Sequence, residues 1–240
     1  MITTGKYPTL RLRRGRANDW VRRMLKENTL SANDLILPIF IVSGKNKKIP
    51  IKSMPGVFRY SLDKLNSIVQ KAILLKIPMI ALFPCVDNKY KDSFGSEALN
   101  KNNLVCTATR KIKKIFKNQI GIMCDVALDP YTSHGHDGLI RNNEILNDET
   151  NKILSKQALM QAQAGCDVIA PSDMMDGRVK IIRKILDKNN FKNVRILSYA
   201  VKYASGFYGP FRDAVGSKKS LKGNKKTYQM DYCNSDESIR

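Results

Sequence analysis

A lysine placed directly after an apolar run is poorly solvated, and poor solvation favours its neutral, nucleophilic form. Lys202 stands in that position. It closes the run Val194–Val201, in which Ile196, Leu197, Ala200 and Val201 are apolar. A neutral amine attacks carbonyl carbon, so Lys202 is a candidate Schiff-base former. The loop after it is rich in glycine and aromatics and ends at Arg212, whose planar guanidinium suits a substrate carboxylate. The same residues also admit a blander reading, in which Lys202 snorkels to water and Arg212 is a surface charge.

Three further segments carry dense polar chemistry. Residues 125–138 hold Asp125, Asp129 and Asp137 with His134 and His136. Three carboxylates and two imidazoles leaving one strand could bind a hard divalent ion, perform acid–base chemistry, or simply brace a loop through Asx turns. Residues 171–178 place Ser172 and Asp173 after the neighbouring strand, where they could share a cavity with Lys202, although Ser172 or Asp176 would equally cap a helix. Residues 216–229 form a basic, glycine-bearing stretch with Lys218, Lys219, Lys222, Lys225 and Lys226. It reads either as a flap that closes on an anionic substrate or as a solvated charge run.

These groups need strands and helices to position them. Short apolar runs predict strands at 35–42, 79–84, 120–125, 166–171 and 194–201. Amphipathic stretches predict helices opening at Ser61 as N-cap, then near 105–117, 149–164 and 178–188, with Gly165 closing the third of these. Ser53–Gly56 is a turn signal. Alternating strands and helices imply βαβ units and a parallel sheet, and in all five units the polar residues follow the strand. That asymmetry belongs to an α/β barrel, whose chemistry sits at the strand C-terminal ends. An open doubly wound sheet is the alternative, but no glycine-rich nucleotide fingerprint follows the first strand. The reading is therefore α/β of the (β/α)8 TIM-barrel class, incomplete at about five βα units. An arm spans residues 1–28 and the partial barrel residues 29–240. The arm crowds six arginines around Trp20, the only tryptophan, and a helix is expected over 18–27; burial of Leu10, Trp20 and Leu25 points to a subunit contact.

Composition limits the partners. Among 240 residues, 42 basic and 21 acidic side chains give a net charge of +21. The lysines are scattered over helix faces rather than gathered with aromatics, so a basic solvated surface is preferred to a nucleic-acid site. No run of 18 apolar residues suggests a membrane span, and the N-terminus lacks the apolar core of a signal peptide. Five widely spaced cysteines form neither a disulfide framework nor a metal pair. A cytoplasmic location is expected.

Together the segments resemble porphobilinogen synthase (5-aminolevulinate dehydratase). The residues that carry the resemblance are 11–14 (Arg-Leu-Arg-Arg), 53–57 (Ser-Met-Pro-Gly-Val), 125–138, 170–178, 198–212 and 226–230, in that order. It implies a barrel with an N-terminal arm in a homo-octamer, joining two 5-aminolevulinate molecules into porphobilinogen with loss of two waters. It implies Lys202 as a Schiff-base lysine, Asp125 as a proton-relaying carboxylate, and Arg212, Lys225, Gln229 and Ser172 as substrate contacts. Zinc-using members place cysteines where this chain has Ala127, Asp129 and Asp137, so no active-site zinc is expected and a magnesium-responsive branch is favoured. No residue here is assigned to a metal. The family's second Schiff-base lysine lies in a Val-Lys-Pro motif on a sixth strand, and its regulatory magnesium ligand lies further on; neither falls within the 240 residues. The expectation is a C-terminally truncated enzyme, inactive alone. Two alternatives stand beside it: a non-catalytic subunit that joins oligomers of full-length enzyme, and a class I aldolase, which needs only one lysine.

Overall fold

The computed structural model describes residues 5–217, 220–221 and 223–240. In chain order, helix α1 is Asp19–Met24, and strand β1 is Ile36–Val42. Strands β2 (Lys48–Pro50) and β3 (Phe58–Ser61) precede helix α2 (Leu65–Leu74) and strand β4 (Met79–Cys85). Helix α3 (Leu104–Phe116) leads to β5 (Gly121–Val126), then a two-rung hairpin of β6 (Ile140–Arg141) and β7 (Glu144–Ile145). Helix α4 (Asn147–Gln163), strand β8 (Val168–Pro171), helix α5 (Arg178–Lys188) and strand β9 (Arg195–Ile196) complete the alternation. Two short helices end the chain, α6 (Gly209–Ala214) and α7 (Ser235–Ile239).

Seven strands form one sheet in the order β2-β3-β1-β4-β5-β8-β9, with every pairing parallel except β2 with β3. The two-residue period of the strands sorts side chains onto two unlike faces. Ile39, Ile41, Ile80, Leu82, Ile122, Cys124, Val126 and Ile169 point to one face and pack on Val69, Ile112, Leu154 and Ile182 of α2, α3, α4 and α5. Phe40, Ala81, Phe83, Met123, Val168 and Ala170 point to the other. A doubly wound sheet carries helices on both faces. Here the four long helices share one face, as they do outside a barrel wall. Among the described residues the sheet does not close, and its edges are β2 and β9.

Several expectations need correction. Strands β2 and β3 were not expected. Each has four residues or fewer, with Lys48, Pro50 and Arg59 breaking the apolar pattern, and β3 is a strand because β1 offers it a free edge. The expected turn at Ser53–Gly56 joins them, with Gly56 at φ +83°. Ser61 occupies the expected N-cap position, but its hydroxyl makes no cap bond; it donates to Asp63 Oδ1 and accepts from the Lys47 amide. The arm helix spans Asp19–Met24, shorter than 18–27, and buries none of its residues. Trp20 is 61% exposed and Leu25 59%.

The largest correction concerns the strand before Lys202. Pairing spans only Arg195–Ile196, not 194–201. Beyond it, Leu197 and Tyr199 donate one-sidedly to Ile169 and Pro171 carbonyls. Among the described residues no strand pairs on its far side, and the ladder ends at Ile196. Of the two readings of residues 216–229, a closing flap or a solvated charge run, the second does not hold at Lys225 and Gln229, which are buried. Lys218, Lys219 and Lys222 lie outside the described residues. No helix among the described residues is long and apolar enough to cross a membrane.

Candidate active site

A cavity of about 470 Å³ opens on the face away from α2–α5, a size suited to a small metabolite. Its floor is sheet: Phe40, Ala81, Phe83 and Met123. Its polar groups come from strand ends and the loops after them: Asp125, Asp129, Ser172, Lys202, Arg212, Lys225 and Gln229. The six residues that the resemblance assigns to the site therefore line one cavity, whereas Asp137, Asp173, His134 and His136, also marked in the sequence, are not part of its lining. The register explains the convergence. Asp125 pairs with Ala170 across β5 and β8, which puts Ser172 just past the C-terminal end of β8, near Asp125.

Lys202 is buried at 9% exposure, and its Nζ donates to the Ser172 carbonyl at 2.7 Å. The Tyr208 ring covers it, 5.4 Å from Nζ to the centroid. Among the described residues no carboxylate lies within ion-pairing distance of Lys202. Its carbonyl receives the Met230 amide, and Met230 in turn accepts from Ala204, so the residues around 230 stitch the far side of the Lys202 segment.

Asp125 opens toward the cavity, and its main-chain carbonyl accepts from Gln161 of α4 at 2.8 Å. Burial pushes its carboxyl up to about 7; the Ser172 hydroxyl and Lys202 oppose the push, while Asp129 and Asp137 add to it. An acid with that value can both accept and return a proton near neutrality. Burial likewise raises Asp129 to about 6, against the pull of Lys225.

The two expected cations differ in availability. Lys225 Nζ donates to Asp137 at 2.8 Å and lies 3.6 Å from Asp129. Burial lowers the Lys225 ammonium, but the two carboxylates outweigh it and hold its value above the ordinary one. For Asp137 burial raises the carboxyl, but Lys225 and Lys202 prevail and keep it below its usual value. Among the described residues Arg212 has no such carboxylate partner, which leaves its guanidinium free for an anionic ligand. No group of three or more His, Cys, Asp or Glu side chains among the described residues is arranged to hold a metal ion. The oxygens of Asp129 and Asp137 face an ammonium instead.

Sequence reasoning missed much of the apolar lining. Tyr199, Tyr208 and Phe211 enter the cavity with Lys202, although strict alternation puts Tyr199 and Lys202 on opposite faces. The strand ends at Ile196, so parity is lost before Lys202. The aromatic, glycine-rich composition of 203–211 was the available signal. Asp173, marked in the sequence beside Ser172, does not line the cavity with it; it is fully buried beside Arg178 of α5. Nothing local marked the Tyr228 hydroxyl, which lies 3.1 Å from His136 Nδ1.

A family model described as delta-aminolevulinic acid dehydratase matches residues 9–240. The delta-aminolevulinic acid dehydratase of Bradyrhizobium diazoefficiens is 58% identical over 96% of this chain and 65% of its own. That of Methanothermus sociabilis is 47% identical over 98% of this chain and 72% of its own. A crystal structure of the Toxoplasma gondii enzyme, solved in complex with its reaction product porphobilinogen, superimposes with a TM-score of 0.92. It is 43% identical, and the match covers 96% of this chain and 65% of that one. The chain thus spans about two thirds of the length of the relatives it matches.

Proposed function

Since the chain belongs to the delta-aminolevulinic acid dehydratase family, we propose that its cavity captures 5-aminolevulinate as an imine on Lys202. The capture serves the condensation of two such molecules to porphobilinogen in tetrapyrrole synthesis. The observation that carries this reading is a buried lysine amine without a carboxylate partner among the described residues, facing the same cavity as Asp125 and Arg212.

The steps use only side chains of this chain. Arg212 binds the substrate carboxylate and orients the ketone carbon toward Lys202. The amine attacks that carbon, and the carbonyl oxygen takes a proton to give a carbinolamine. Loss of that oxygen as water leaves the imine, with Asp125 moving the protons. Tyr208 and the segment carrying Gln229 limit the access of bulk water that would hydrolyse the imine. Condensation of two substrates releases two waters in total, and Gln229 and Ser172 are assigned to hold polar groups of the bound substrate. Lys225 adds to carboxylate binding only if it exchanges Asp137 for the ligand. The arm, residues 1–28, is assigned to contact with a further copy of the chain.

The test is borohydride reduction in the presence of 5-aminolevulinate, followed by peptide mass mapping. The expected adduct is on Lys202, and Lys202→Ala abolishes it. A reduced adduct on another lysine, with residue 202 unmodified, sinks the assignment.

A further inference from the structure

One of the segments that carry the resemblance, residues 53–57, has no part in the chemistry above. Met54 and Val57 line the cavity, but Ser53 points elsewhere. Its hydroxyl donates to Asp213 Oδ2 at 2.6 Å, a contact 160 residues away in sequence. Arg59, on β3, reaches the same place. Its Nε donates to the Ala214 carbonyl at 2.7 Å and its Nη2 to the Asp213 carbonyl, while the guanidinium also lies 3.7 Å from the Asp213 carboxylate. Neither Ser53 nor Arg59 lines the cavity.

These bonds converge on the end of α6. The last carbonyls of a helix have no partner within it, and a cation placed there also complements the helix dipole. A six-residue helix is marginal on its own. Two sets of contacts hold α6. Phe211 packs edge-on against Phe83, with centroids 4.8 Å apart, and against Phe40 at 5.7 Å. The Arg59 fork grips its C-terminus. Arg212 sits between them, next in the chain to the gripped carbonyl of Asp213. We propose that Arg59, assisted by Ser53, is a positioning residue: it fixes α6 so that the Arg212 guanidinium stands where the substrate carboxylate arrives. The inference rests on the function proposed above and assigns the specificity for an acid to a residue at the opposite side of the sheet from Lys202.

The experiment uses the 240-residue chain and two probes, 4-oxopentanoate and its neutral methyl ester. The quantity measured is the concentration that half-saturates borohydride trapping at Lys202. For Arg59→Ala the acid is expected to need about tenfold more, the loss of one charge-assisted contact, while the ester stays within about twofold. Arg212→Ala is expected to do the same, and the double variant to add nothing to it. Arg59→Lys recovers part of the loss, since a point charge satisfies one carbonyl rather than two. Equal losses for acid and ester, or full additivity in the double variant, overturn the proposal. If Arg59→Ala does not fold, Ser53→Ala carries the same comparison with a smaller expected change. If the unaltered chain traps neither probe, the functional reading has failed. The anchor is then judged by amide exchange at 215–217, which accelerates in Arg59→Ala if the proposal holds and is unchanged if it does not.

Discussion

At the scale of the residue, the site places several buried acids next to few cations. Asp125 shows the consequence for pH. Its folded value of about 7 lies above the ordinary carboxyl value of about 3.9. Between those two values the folded chain holds a proton that the unfolded chain has released, so stability from this group falls as pH rises and levels off above about 7. Asp173, raised to about 7 chiefly by burial, acts in the same sense, and Asp137, held low by its lysine neighbours, acts in the opposite one. Asp125→Asn removes its share. The variant is expected to melt near wild type only at about pH 4 or below, and increasingly above it up to about pH 7, by an amount that corresponds to at most about 4 kcal/mol. Imine formation in that variant slows by roughly a hundredfold, because the proton relay is gone. A pH-independent difference in melting temperature would show that Asp125 carries its charge at no cost.

At the scale of the element, residues 223–230 are held against two other segments, the loop at 136–137 and the stretch that begins at Lys202. Tyr228 meets His136 and the Asp137 amide, Lys225 meets Asp137, and Met230 bonds the Lys202 carbonyl. The closest approach is at Gly135. Its φ is +73°, and a Cβ there would lie 2.8 Å from the Leu221 amide nitrogen and 2.9 Å from the Leu221 Cα. Backbone cannot yield as a flexible side chain does, and the positive φ adds strain for any other residue. Gly135→Ala is therefore expected to push residues 220–221 off the loop and to raise the half-saturating 4-oxopentanoate concentration about three- to tenfold. The melting temperature shifts less than for a core truncation, since the sheet is untouched. Unchanged ligand affinity would mean that the segment plays no part in holding the ligand.

At the scale of the whole molecule, the outer face of the sheet is sealed by α2–α5, whereas the arm packs on little of its own chain. Leu12 is 66% exposed and Met24 79%, beside the exposed Trp20. A stretch of apolar side chains among six arginines suits contact with another copy. Removal of residues 1–28 is expected to lower the assembly mass measured by light scattering while leaving trapping at Lys202 intact. The single tryptophan gives a direct readout: in the full chain its emission shifts to the blue as concentration rises. Emission that stays red at every concentration, with no change in mass on deletion, would remove the arm from assembly.

The sequence by itself determined what period and composition can encode. Four apolar runs became the central parallel strands and the fifth a two-residue edge strand, because alternation of Ile39, Phe40 and Ile41, or of Ile80, Ala81 and Leu82, needs only the two-residue repeat to sort one face from the other. It also put Asp125, Ser172, Lys202, Arg212 and Lys225 on the short list, since chemistry after strand ends is a local signal; Gln229 joined them only through the resemblance. Tertiary structure alone decided the rest. Strand β3 exists because β1 had an unpaired edge, and the run before Lys202 is short where, among the described residues, no strand pairs on its far side. Among the described residues Lys225 is paired with carboxylates and Arg212 is not, because Asp129 and Asp137 arrive beside Lys225 from about ninety residues away. Burial and charge proximity depend on distances between elements, and a linear pattern carries no such distances.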